Sequence, residues 1–183
     1  MQSIYDDSSV SNCAILLRNG RYFDFHSPDP SVMDIELVAH VLSNLCRFTG
    51  HTREYYSVAQ HSVLVSSLTP SEWRFAGLLH DAGETFIGDV SRPLQTVVSD
   101  YRSVKERVEK VVFAHFGIPW PLPGAVSHAD RAALIFEMRD LFGYEDRLLK
   151  KFSKEFQVDP IRPMQPAEAR EAFLRRYSEL GGA

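Results

Sequence analysis

The chain has 183 residues, 44% of them hydrophobic, and a formal net charge of −4 at pH 7. That length and apolar content suit one compact domain with a sizeable core, and the scattered Lys and Arg residues offer no basic surface for a nucleic-acid duplex. Cys13 and Cys46 stand alone, which excludes a thiolate zinc site and fits a reducing, cytoplasmic compartment, while the polar stretch Met1 to Val10 and the absence of a long apolar run predict neither a signal peptide nor a membrane span.

Residues 1–20 read as a weakly patterned N-terminal extension. Arg21-Tyr22-Phe23-Asp24-Phe25 alternates enough for one short strand, or the arm of a hairpin, before the loop His26-Ser27-Pro28-Asp29-Pro30. From Asp34, a candidate N-cap, apolar residues recur at helical spacing (Ile35, Val38, Ala39, Leu42, Leu45) until Gly50. A second helix is predicted from about Thr52 to Leu68, and a third opens at Thr69-Pro70-Ser71-Glu72 and runs through His80, Asp81 and Glu84. Ser91-Arg92-Pro93 is a breaker that turns the chain. Further helices are predicted over 101–115, 125–142 and 166–180, separated by the Pro-rich linker 117–124 and by Val158-Asp159-Pro160. Six or so helices with almost no strand predict an all-α, bundle-like single domain, with residues 156–183 supplying a C-terminal helix that packs on the core.

The chemistry gathers around His80-Asp81. An Asp that follows the apolar run Phe75-Ala76-Gly77-Leu78-Leu79 is a costly charge to bury unless it is paired or bound to a metal. His61 lies on the preceding helix, Glu84 one turn downstream and Asp130 on a later helix. On a continuous helix His80 and Glu84 are about 40° apart and Asp81 and Glu84 about 60° apart, so all three face one cavity. Imidazole mixed with carboxylate suits a divalent transition ion (Mn, Co, Zn, Fe or Ni) rather than a calcium cage. A carboxylate one turn from a ligand pair is placed to orient water, which is what hydrolysis requires.

The set His61, His80-Asp81 and Asp130 resembles the pattern of the HD-domain phosphohydrolase superfamily: a His, a His-Asp pair and a distant Asp around one metal. The resemblance extends to its small nucleotide-acting branch, which includes phage dATP triphosphohydrolases and bacterial 5'-deoxyribonucleotidases. It is carried by Arg47-Phe48, by Tyr56-Ser57-Val58-Ala59-Gln60-His61-Ser62, by Leu79-His80-Asp81-Ala82-Gly83-Glu84 and by Gly88-Asp89-Val90-Ser91-Arg92-Pro93-Leu94, over about residues 20–140. The resemblance implies that His61, His80, Asp81 and Asp130 hold one metal and that Glu84 orients the attacking water. It also implies that Asp89 lies by the sugar and the reacting phosphate, that Arg47 binds phosphate, and that Phe48 packs on a deoxyribose. Gln95 stands where this branch often carries a Lys, leaving Arg92 or Lys105 to supply positive charge. The expected activity is hydrolysis of deoxynucleotides, dATP first, with magnesium accompanying the phosphates and with homo-oligomeric assembly. The runner-up is a 5'-nucleotidase acting on deoxynucleoside monophosphates.

A binuclear site is disfavoured. His128 is two residues before Asp130, about 200° round a shared helix, and His115 sits at a predicted helix end where a cation offsets the dipole. A further alternative is a non-catalytic sensor that binds metal and nucleotide without turnover, although Glu84 and Asp89 beside the ligands argue for chemistry.

Overall fold

Two of the helices start where a short polar side chain satisfies a free backbone N–H group. Asp34 caps α1 (Ile35–Asn44) by accepting from the Leu37 amide at 2.6 Å, and Ser57 caps α2 (Val58–Leu68) by accepting from Gln60 N at 3.1 Å. The computed structural model describes residues 10–182; of the expected N-terminal extension, residues 1–9 lie outside the described residues. In chain order the remaining elements are the strands β1 (Ala14–Leu16) and β2 (Tyr22–Asp24), then α3 (Arg74–Leu79), α4 (Glu84–Ile87), α5 (Arg92–Val97), α6 (Tyr101–His115), α7 (Gly124–Glu137), α8 (Leu149–Glu155) and α9 (Pro166–Glu179). The fold is all-α with one short hairpin. β1 and β2 pair antiparallel with Ile15 opposite Phe23, so the single expected strand has a partner. Among the described residues no helix is long and apolar enough to cross a membrane.

α2 is the central helix. Its sequence, Val58-Ala59-Gln60-His61-Ser62-Val63-Leu64-Val65, has no charged face, and it is enclosed by α1, α3, α7 and α9. Val58, Ala59 and Val65 join Leu42, Leu78, Leu79, Phe113 and Phe173 in the main core, so the C-terminal helix α9 is part of that core. Phe23 of the hairpin stacks on Phe86 of α4 with ring centroids 3.9 Å apart, and a smaller cluster joins Phe136 of α7 to Phe152 of α8.

Several boundaries depart from expectation, and α2 starts at Val58 rather than near Thr52. α1 stops at Asn44 rather than near Gly50, because Leu45 to Arg47 pairs with Tyr56 to Val58: Arg47 N donates to Tyr56 O at 2.9 Å and Val58 N to Leu45 O at 3.0 Å. Arg47 therefore opens a 3-10 turn (Arg47–Gly50) rather than ending a helix, and Phe48 and Thr49 take left-handed backbone angles there (φ 55 and 53). The third predicted helix is not continuous: α3 ends at Leu79 and α4 begins at Glu84. Between them the ladder tightens to three-residue spacing, with Ala82 N on Leu79 O, Glu84 N on Asp81 O and Phe86 N on Gly83 O. The predicted 125–142 helix likewise ends as α7 at Glu137 and continues as a π-helical segment, Met138–Phe142, closed by left-handed Gly143. Finally, Arg92-Pro93 begins α5 instead of only breaking the chain, since proline is tolerated in a first turn.

Candidate metal centre

Helices α2 and α7 and the turn after α3 bring the four predicted ligands together. One ring nitrogen each of His61 and His80 and an Asp130 carboxylate oxygen lie within 4.8 Å of one another, a group that could hold a metal ion. Asp81 joins them, its Oδ2 standing 3.5 Å from His61 Nε2 and 3.1 Å from His80 Nε2. Asp130 Oδ1 is 3.3 Å from His61 Nε2 and 4.0 Å from His80 Nε2.

The outer ring nitrogens are fixed. His80 Nδ1 lies 2.8 Å from the carbonyl oxygen of Gly77, an acceptor only, so Nδ1 donates there and Nε2 is the nitrogen turned to the carboxylates. His61 Nδ1 lies 2.6 Å from Glu137 Oε1. Both Nε2 atoms are buried without a hydrogen-bond partner. Orphaned ring nitrogens aimed at two carboxylates fit a divalent ion bound by nitrogen and oxygen, since a buried polar atom is rarely left unpaired without a role.

Charge in the site is strongly organised. Burial opposes ionisation of Asp81 and Asp130, yet the neighbouring imidazoles outweigh it. The Asp81 carboxyl is held well below the usual range, and that of Asp130 is pulled down to about 2. Burial and the Arg47 charge disfavour the His61 imidazolium, but the Glu137 carboxylate and the Asp130 carboxylate 3.3 Å from Nε2 prevail and push it up to about 9. Glu84 moves the other way. Burial, then the charges of Asp81 and Asp89, raise its carboxyl well above the usual range. Burial is also the main cause of the raised pKa of Asp89.

A cavity of about 280 Å³ opens beside the ligands, and Asp81, Glu84, Asp89, Asp130, Arg47 and Lys105 reach its wall. Three-residue spacing in the turn stacks Asp81 and Glu84 on one face, closer than the 60° of a regular helix, which explains both their shared cavity and their mutual repulsion. Glu84 Oε2 has no partner. Phe48, Arg92 and Gln95 complete the predicted set at this cavity. Phe48 packs edge-to-face on Phe142, under the Arg47 guanidinium at 5.0 Å. Gln95 Nε2 donates to Val90 O at 2.6 Å, and Arg92 Nη2 pairs with Asp130 Oδ2 at 2.9 Å. Lys105 is paired with Glu109 at 3.4 Å.

His128 stays out of the site, pairing with Glu155 at 2.6 Å on the far side of a continuous α7, as the 200° separation requires. His115 is exposed at the end of α6, its ring edge-on to Phe116.

One prominent residue escaped the sequence reading. Glu137 is fully buried and pairs with Arg47 Nη2 at 2.9 Å, which ties up an arginine expected to bind phosphate. Its sequence signal is position: seven residues after Asp130, hence two turns along the same face, in a helix otherwise buried through Ala129, Ala132, Ala133 and Phe136.

No family model matches the chain. It is 33% identical over 165 residues to the uncharacterized protein YfdR of Escherichia coli (strain K12), covering 88% of this chain and 92% of that one. An uncharacterized protein of Rhodobacter capsulatus is also 33% identical, over 187 residues, with the same shares of each chain covered. At that identity over nearly the full length of both relatives, the chain belongs to the protein family that includes Escherichia coli YfdR.

Proposed function

We propose that the chain is an HD-type, metal-dependent phosphohydrolase that removes phosphate groups from deoxynucleotides. The observation that carries this reading is the pair of buried, unpartnered Nε2 atoms of His61 and His80 facing Asp81 and Asp130, next to a cavity lined by a free carboxyl and by cations. His61, His80, Asp81 and Asp130 hold the ion. When bound, a divalent ion supplies Lewis acidity toward a phosphoryl oxygen and toward water.

The chain's own residues do the rest. Glu84, at the cavity wall with its Oε2 buried and unpartnered, orients the attacking water and, once ionised beside bound cations, accepts its proton as the water oxygen bonds to phosphorus and the bond to the leaving oxygen breaks. Arg47 and Lys105 face the charge that develops on the phosphoryl oxygens; Arg47 Nε has no partner in the protein. Asp89 stands by the sugar and Phe48 packs against it, which favours 2'-deoxy substrates. Adenine deoxynucleotides, dATP first, are the leading substrates. Cleavage of deoxynucleoside monophosphates is a second reading, favoured by the cavity size. About 280 Å³ lies just below the roughly 300–1,000 Å³ usual for ligand pockets.

The deciding experiment incubates manganese- or cobalt-loaded protein with nucleoside mono-, di- and triphosphates and identifies the products chromatographically. Release of triphosphate, pyrophosphate or phosphate from deoxynucleotides is expected, with the ribonucleotides slower. Nucleotide binding with no product under any divalent ion would make the protein a sensor instead.

A further inference from the structure

We infer that Glu137 is a positioning residue that sets both the metal-facing tautomer of His61 and the orientation of Arg47, joining the ion site to the phosphate-facing wall through one carboxylate. The inference rests on the metal-site reading above and extends it to a residue with no direct access to substrate.

Three observations converge. Glu137 is completely buried, a position in which a carboxylate persists only if it is paired. Its two oxygens are divided between two partners: Oε1 lies 2.6 Å from His61 Nδ1 and Oε2 lies 2.9 Å from Arg47 Nη2. Those partners belong to different parts of the site, His61 on α2 among the ligands and Arg47 in the Arg47–Gly50 turn at the cavity wall.

An ionised carboxylate only accepts, so His61 donates from Nδ1, and Nε2 is left as the atom that binds a cation by giving up its own proton. His80 solves the same problem with the neutral carbonyl of Gly77. A charged acceptor makes an imidazole a stronger base and a stronger ligand than a neutral one does, so His61 is the tighter of the two nitrogen ligands. The other oxygen fixes Arg47, whose Nε stays unpaired near Asp81, Glu84 and Asp89 at the same cavity. Because α7 also carries Asp130, one helix supplies a ligand and the brace for another.

Cobalt affinity, read from the visible spectrum of the titrated protein, tests this without any turnover. Glu137→Gln keeps the shape but loses the charge, and its affinity should fall about 10–100-fold, as is typical when a carboxylate behind a ligating histidine is removed. If Glu137→Gln leaves Arg47 unpaired and fails to fold, Arg47→Met/Glu137→Gln removes the stranded charge and is titrated against Arg47→Met, with the same fall expected. In zinc-loaded wild-type protein, nitrogen NMR should find the His61 proton on Nδ1. Wild-type cobalt affinity in the Gln variants, or a proton on His61 Nε2, overturns the inference. Failure of wild-type protein to bind cobalt would instead remove the metal site itself.

Discussion

Gly77 links core packing to the site, and its replacement by Ala is the sharpest structural test. A Cβ at Gly77 would lie 2.6 Å from Thr69 Oγ1, 3.2 Å from Thr69 Cβ and 3.3 Å from the Ser66 backbone. Thr69 is not free to yield, because it is buried at the end of α2 and its hydroxyl donates to Val65 O at 2.7 Å. Overpacking of this kind costs about 1–3 kcal/mol. Ala gains about 1 kcal/mol over Gly in a helix, which offsets part of that. The net expectation for Gly77→Ala is a loss of up to about 2 kcal/mol, or roughly 2–4 °C in Tm for each kcal/mol at this chain length. Since Gly77 O holds the His80 ring, a displaced α3 should also weaken metal binding. Urea denaturation followed by circular dichroism measures the first effect and cobalt titration the second. In Gly77→Ala/Thr69→Ala the 2.6 Å clash disappears, so the double variant should be about 1 kcal/mol more stable than the two single losses sum to. A Gly77→Ala protein more stable than wild type, or strictly additive losses, would refute the reasoning.

Other perturbations separate roles within the site and the scaffold. Asp81→Ala should lose divalent-ion retention, whereas Glu84→Gln should retain the ion and lower kcat by about 10²–10⁴-fold, as measured by metal analysis and product release. Arg92→Ala should leave stability nearly unchanged, because exposed ion pairs contribute about 0–1 kcal/mol; any rise in KM then reports contact with substrate. Asp34→Ala removes the α1 cap and should cost about 1 kcal/mol in urea denaturation. Gln60 binds Arg162 O at 2.7 Å and the Met164 amide at 2.8 Å, so Gln60→Ala should speed hydrogen exchange at Met164.

Legibility in the sequence followed the strength of local signals. α6 and α9 were readable almost to the residue, since their apolar positions repeat at helical spacing and Pro166 opens the second of them. α8 and α5 have 7 and 6 residues, too few for a periodic pattern to separate them from loop, and Pro93 looked like a terminator when it belongs to a first turn. The break between α3 and α4 was hidden for another reason. His80 and Gly83 keep right-handed helical torsion, but Gly83 packs so near Glu109 of α6 that a Cβ would stand 3.1 Å from its Cγ, a tertiary contact that no local pattern records. Asp81 stood out because a carboxylate after an apolar run needs an explanation, and His61, His80 and Asp130 joined it through the resemblance to the HD pattern. Glu137 was missed because an acid late in a helix ordinarily reads as solvated surface, and its burial depends on Arg47, 90 residues away.

Metal stoichiometry bears most directly on the whole account. Chelator-stripped protein, reloaded with manganese or cobalt and freed of excess ion, should retain one ion per chain by elemental analysis. His80→Ala and Asp130→Ala, both correctly folded by circular dichroism, should retain essentially none. A wild-type chain that holds no ion, or folded variants that hold it as well as wild type does, would contradict the account.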